Sequence, residues 1–212
     1  MEFKSHLLSE DIKLALRAGD RITDDDFDQI LPDTYERISD VQWSSVRVAR
    51  TITRMLADTP TAHLIDLGCG VGKLCLLLAL STELRLSGIE RRQALIHTAR
   101  KLAYENVDDG RITYMQGDIL ELNWDAYDVL YLYNPFMEHK CSRTSENLID
   151  ANISLSQDAY ADYVARCFKK LCALKEGQRV ITYHGFGGTM PETLQMIDSE
   201  RVGNGTVRLW ST

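Results

Sequence analysis

Long apolar runs are missing from this 212-residue chain: no stretch approaches the roughly 20 residues that span a bilayer, so no membrane protein is expected. A paired cysteine framework is missing too. The five cysteines, Cys69, Cys75, Cys141, Cys167 and Cys172, are odd in number and form no CxxC, so they read as reduced thiols. His139 and Cys141 are the one close His/Cys pair, too few ligands for a zinc site, and no metal is expected. Basic charge is in short supply: 24 Lys and Arg against 31 Asp and Glu leave a net charge of -7. That balance argues against long nucleic acid as a partner, because neutralising phosphates needs a basic face. Arg47, Arg50 and Arg54 share one helical pattern, which reads as a solvated face. The first twenty residues mix acids and bases without the basic-then-apolar layout of a secretory signal, and the expected compartment is the cytoplasm.

What is present is ordinary globular material. Hydrophobic residues make up 44% and charged residues 26%, and the length suits one well-buried core. Residues 1–57 read as helical and 58–212 as a separate α/β unit. In the first part, Ser9 is placed to cap a helix that ends near Gly19, and "TDDDFDQIL" begins another that stops at Pro32. "VQWSSVRVARTITRMLAD" then sets Val41, Val48, Ile52, Met55 and Leu56 at helical spacing, as one continuous helix.

From residue 62 strands and helices alternate. "HLIDL", "LRLSGIE", "RITYMQGD", "YDVLYLYNP" and "QRVITYHG" read as strands, with helices over "LCLLLALS", "RRQALIHTARKLAYENV" and "SQDAYADYVARCFKKLCALKEG". Repeated βα units imply a parallel sheet with helices on both faces, and ligands bind beyond its strands' carboxyl ends. The tail, "ETLQMIDSERVGNGTVRLWST", adds a short helix pattern and two strand-like pieces around "GNG", an antiparallel hairpin signal. The irregular stretch after the fourth strand, residues 137–156, sits where a ligand-facing loop would be.

The turn after the first strand, "DLGCGVGKL", carries three glycines in five positions. A phosphate-binding P-loop needs GxxxxGK followed by Ser or Thr, but Leu67 stands at the first glycine and Leu74 follows Lys73. A nicotinamide or flavin turn wants GxGxxG, and here Lys73 holds the third-glycine place. Glu90, ending the second strand, can grip ribose hydroxyls of any adenosine cofactor, so a nicotinamide oxidoreductase stays an alternative.

"LIDLGCGVGKL", "GIE" at 88–90, "GDIL" at 117–120 and "YDVLYLYNPF" together resemble the successive motifs of class I S-adenosylmethionine-dependent methyltransferases, over about residues 35–212. The resemblance implies an α/β fold: a doubly wound seven-stranded, mostly parallel sheet with a C-terminal antiparallel hairpin, here under an N-terminal helical cap. It implies S-adenosylmethionine as cofactor, held by Asp66, Gly68, Cys69, Gly70, Glu90, Asp118 and Ile119. Asp66 would order the glycine loop through hydrogen bonds, and Ile119 would pack on the adenine. The plainer reading of Glu90 and Asp118 is that they are solvated strand-end acids. Trp43, with Tyr35 before it, would fold over the cofactor's methionine side, and Ser44 or Ser45 would reach its carboxylate; the plainer reading is a core aromatic.

"NPF" at 134–136 is similar to the Asn-Pro-Pro-aromatic motif of methyltransferases that act on nitrogen, although the second proline is missing. Asn134 would hold the acceptor or the cofactor's amino group, with Tyr133 and Phe136 shaping the pocket. A weaker resemblance is to the non-SET histone lysine methyltransferases and their bacterial relatives. His184 lies at the ligand-facing end, where a structural histidine is the plainer reading, and His63 lies at the opposite end. The expected acceptor is a protein or a small molecule, its methyl taken by in-line attack that depends chiefly on alignment. A cofactor-binding, non-catalytic partner subunit would show the same glycine turn.

Overall fold

A computed structural model of the chain describes residues 6–107, 110–139 and 157–212. The helical N-terminal part begins with α1 (Glu10–Ala18), where the Ser9 hydroxyl accepts from the Ile12 amide and Gly19 closes the helix at φ 73°. Thr23 and Asp26 form a reciprocal capping box at the start of α2 (Asp24–Asp28). Pro32 opens α3 (Asp33–Glu36), as its fixed φ allows at a helix start.

The single helix expected from Val41 onward is two helices, α4 (Ser39–Gln42) and α5 (Val46–Met55). Trp43 between them is extended, and Val41 is exposed rather than part of a buried stripe. The break has a local cause: the Ser45 hydroxyl captures the Val48 amide, and the Asp24 carboxylate accepts from the Val46 amide. A serine that caps a new helix outcompetes continuation of the old one.

The sheet has seven strands: β1 (His63–Leu67), β2 (Arg85–Glu90), β3 (Ile112–Gln116), β4 (Val129–Tyr133), β5 (Arg179–Tyr183), β6 (Gln195–Val202) and β7 (Gly205–Ser211). Their order is β3-β2-β1-β4-β5-β7-β6. The first five pair in parallel, and β7 runs antiparallel to both β5 and β6. Three long helices cross over between them: α6 (Lys73–Ser81), α7 (Gln93–Asn106) and α8 (Gln157–Cys172). The chain winds outward from β1 to β3 and then restarts at β4, so the strand order reverses between β1 and β4. A crevice beyond the carboxyl ends opens at such a reversal.

The tail differs from expectation in one place. Instead of a short helix, Gln195 to Asp198 begin β6, which pairs with β7. A bulge between Met196 and Asp198 leaves Met196 and Ile197 both about half exposed, which erases the two-residue alternation that would have marked a strand. The hairpin at Gly203-Asn204 is as expected, with Val202 facing Gly205 and Gly203 at φ 57°.

Strand residues alternate between two apolar clusters, one on each face. Leu64, Leu86, Val129 and Ile181 point to the face covered by α6, α7 and the N-terminal helices, whose Phe27, Val48 and Ile52 join the same cluster. Ile65, Leu67, Leu130 and Val180 point to the face covered by α8, with Cys167 and Leu171. Helix α6 is buried all round from Lys73 to Leu80, wedged between the sheet and α1 and α5. Among the described residues no helix is long and apolar enough to cross a membrane. Cys69, Cys75 and Cys167 are buried free thiols and Cys172 an exposed one; Cys141 lies outside the described residues, as does most of the 137–156 loop.

Candidate functional site

The glycine turn leaves β1 and is fastened to β2: the amides of Gly68 and Cys69 both donate to the Ile89 carbonyl, at 2.9 and 3.0 Å. Gly68, Gly70 and Gly72 all lie at positive φ, at 95°, 54° and 76°. At two of them space adds a second demand. A β-carbon on Gly70 would overlap the Trp43 ring, and one on Gly72 would overlap the Tyr114 hydroxyl, which donates to the Gly72 carbonyl at 3.0 Å. Two of the three glycines therefore answer to neighbouring side chains, where the resemblance implied close approach to a cofactor. Gly68, with only Pro135 at 3.7 Å from such a carbon, is the more open of the three.

Asp66 sits at the head of the turn, 5% exposed. Burial, helped by the nearby Glu90 carboxylate, raises its pKa to about 8. Among the described residues none donates a hydrogen bond to its carboxyl, so the loop-ordering role expected of it is filled here by the Ile89 carbonyl. The charge has a consequence for stability. Between its ordinary value of 3.8 and about 8, the folded chain keeps a proton that the unfolded chain releases, so stability falls as pH rises through that window and levels off above it. At about 1.4 kcal/mol per unit, the loss is on the order of 5 kcal/mol. Urea unfolding at pH 5, 7 and 8.5 should show that decline, and Asp66→Asn, which carries no titrating proton, should flatten it; parallel profiles would contradict the assignment.

Glu90 ends β2 and is also buried; its Oε1 accepts from the Arg92 amide at 2.9 Å and from the Arg92 guanidinium at 3.4 Å. Asp118 follows β3, half-buried, with Oδ1 accepting from the Leu120 amide at 2.8 Å. Ile119 is buried against Trp124, whose indole donates to its carbonyl at 2.8 Å.

At the end of β4, Asn134 adopts φ 44°, and its amide donates to the Gly185 carbonyl beyond β5 at 2.9 Å. His184, on that neighbouring turn, is exposed at φ 58°. Two non-glycine residues held in the left-handed region on adjacent strand ends are a local cost of the kind found at functional turns. Tyr133 lies between them: its ring meets those of Tyr183 and His184 at 5.1 and 5.8 Å, and its hydroxyl donates to the Val41 carbonyl at 3.2 Å. Phe136 is buried and stacked on Tyr163 of α8, ring centroids 5.4 Å apart, so its ring is anchored in the second apolar cluster.

Trp43, Ser44, Asp66, Gly68, Lys73 and Tyr131 are among the residues lining a cavity of about 40 Å³. Glu90, Asp118 and Asn134 are not among its walls; they stand at the ends of β2, β3 and β4. Ser44 shares a 2.6 Å hydrogen bond with the Tyr131 hydroxyl and Ser45 caps α5, so both hydroxyls expected to reach a carboxylate have partners within the protein. His63, at the other end of β1, bonds the Ser87 hydroxyl at 2.8 Å, and burial lowers its pKa.

Sequence reasoning treated Lys73 only as a departure from the dinucleotide pattern and did not single out Tyr114 or Tyr131. The signal for Lys73 was a lone lysine heading an apolar helix, with "DDDFD" upstream to pair it. Among the described residues no group of three metal-ligating side chains forms.

A seven-stranded sheet in this order, parallel but for its C-terminal hairpin, is a methyltransferase-type α/β fold. Residues 64–153 match a family model described as a methyltransferase domain, and the strand order is that of the Rossmann-like methyltransferase fold. Among solved structures the chain is similar to TrmN from Thermus thermophilus, with a TM-score of 0.59 at 15% identity, covering 84% of this chain and 52% of that one. It is also similar to an RNA methyltransferase from Salinibacter ruber in complex with S-adenosyl-L-homocysteine, with a TM-score of 0.52 at 20% identity, covering 78% of this chain and 90% of that one. An O-methyltransferase from Pyrenophora dematioidea is 26% identical over 82 residues, which is 39% of this chain but only 31% of that relative.

Proposed function

We propose that this chain binds S-adenosylmethionine at the carboxyl ends of β1 to β4 and transfers its methyl group to a protein or small-molecule acceptor, with nitrogen as the candidate atom. One observation carries the reading: Asp66, Glu90, Asp118 and Asn134 stand at the ends of β1, β2, β3 and β4, along one edge of the sheet where its strand order reverses. The group supplies an activated methyl on sulfonium when bound, and the chain supplies position. Glu90 and Asp118 accept from ribose and adenine, Gly68 lets the backbone come close, and Trp43 covers the methionine side. Asn134 and Tyr133 present the acceptor. Alignment and exclusion of water are the catalytic contribution asked of them, and in favourable cases alignment is worth roughly 7 to 11 kcal/mol.

The net charge of -7 supports a protein or small molecule over RNA. The test incubates the protein with tritiated cofactor and fractionated lysate. Label in the protein or metabolite fraction is the expected result, and label confined to RNA would overturn this choice. In the labelled fraction, Asn134→Ala should lower turnover about a hundredfold or more while S-adenosylhomocysteine still binds, since positioning losses of this kind fall on the chemical step. Turnover unchanged in that variant would remove Asn134 from the acceptor site. Absence of label from every fraction would favour a cofactor-binding subunit.

A further inference from the structure

The Lys73 ammonium is 2% exposed; it donates to Asp24 Oδ1 at 2.7 Å and to Ser39 Oγ at 3.0 Å, and it forms an ion pair with the Asp28 carboxylate, Oδ1 at 2.7 Å. These partners bracket one segment. Ser39 begins α4, while Asp24 Oδ1 accepts in addition from the amide of Val46, the first residue of α5. One buried charge at the foot of the glycine turn thus holds both ends of residues 39–46, and the middle of that span is Trp43, lying against Gly70. The space left between Trp43, Ser44, Asp66 and Tyr131 is small, about 40 Å³. Trp43 is the part of residues 39–46 that overlies both that space and the glycine turn.

We propose that Lys73 is a positioning residue that clasps residues 39–46 over the glycine turn as a lid, and so sets how fast cofactor enters and leaves; this rests on the cofactor site proposed above. A desolvated lysine is stable while all its partners are in place and expensive when one is lost, which makes a clasp of two states, closed or released. Asp24 is the accessible member, its side chain 37% exposed against 10% for Asp28. Release therefore starts where water can replace Asp24.

Two variants test this. Asp24→Asn keeps an oxygen for the Val46 amide and removes the charge; the Lys73→Met/Asp28→Asn double variant removes the buried pair without leaving either charge alone. Dissociation of tritiated S-adenosylhomocysteine should quicken about tenfold in both, association should quicken too, and affinity should change less than either rate, since one charged hydrogen bond is worth about a factor of ten or more. Deuterium uptake at 39–46 should rise while β1 stays protected. Dissociation within twofold of the parent in Asp24→Asn would overturn the proposal, whether or not the double variant folds. Should the parent protein fail to bind S-adenosylhomocysteine, the cofactor reading falls and with it the lid; unchanged deuterium uptake at 39–46 in Asp24→Asn would then deny the clasp as well.

Discussion

Gly70→Ala is expected to cost about 2 to 5 kcal/mol of stability and to abolish tight cofactor binding. The backbone cost of an L-residue at φ 54° is roughly 1 to 2 kcal/mol. Forcing a methyl into the Trp43 ring adds overpacking of about 1 to 3 kcal/mol, because Trp43 is itself pinned by Tyr35 and by the close of α4. The control is Gly19→Ala. That residue closes α1 at φ 73° with nothing within 4 Å of an added β-carbon, so only the backbone cost applies. Urea midpoints of the two variants separate the terms: a loss at Gly70 no larger than at Gly19 would mean that the Trp43 contact is soft.

The other large effect falls on Glu90. Its carboxylate is buried, anchored through one oxygen by the Arg92 amide and guanidinium, and fixed at the end of a central strand. A pre-placed acid of this kind gives charge-assisted hydrogen bonds to two vicinal hydroxyls, each worth about 1.5 to 3 kcal/mol. Glu90→Ala should weaken S-adenosylhomocysteine binding a hundredfold or more. It also takes away one of the two influences that raise the pKa of Asp66, which should move down. Calorimetric titration of the variant reads the first effect, and the shift of its stability profile toward lower pH reads the second. Binding within a few-fold of the parent would place the ribose elsewhere.

The parallel half of the sheet was legible because its signals are local and repeated. "HLIDL" and "VLYLY" are short apolar runs, the glycine turn marks a strand giving way to a helix, and the clusters confirm which residues face which layer. The helix break at Trp43 was not legible, since it is decided by Asp24 reaching across 22 positions to cap Val46. The hairpin formed by β6 and β7 was legible from its Gly-Asn-Gly turn, but the first residues of β6 were hidden by the bulge and are defined by pairing with β7. The positions of Glu90, Asp118 and Asn134 at successive strand ends were legible from the motifs that carry them. The purposes of Gly70 and Gly72 were not, because Trp43 and Tyr114 meet them from distant parts of the chain. Phe136 was expected in the acceptor pocket, yet its ring is stacked on Tyr163, a partner about 27 positions away that spacing could not reveal.

Lys73 shows the same limit from the other side. Its sequence position argued against a dinucleotide turn, which was informative; its ion pairs to Asp24 and Asp28 tie the N-terminal helices to the glycine turn, and only the fold brings them together. Two hydrogen bonds and an ion pair offset the cost of burying that charge, and the segment so held is the one that covers the turn.

The claim that the strand ends form an S-adenosylmethionine site is tested most directly by calorimetric titration of the unaltered protein with S-adenosylhomocysteine, beside an identical titration with NADH. Saturable binding of one equivalent of S-adenosylhomocysteine, with none of NADH, is the predicted result. No heat from S-adenosylhomocysteine at millimolar concentration, or binding of NADH in its place, would contradict it.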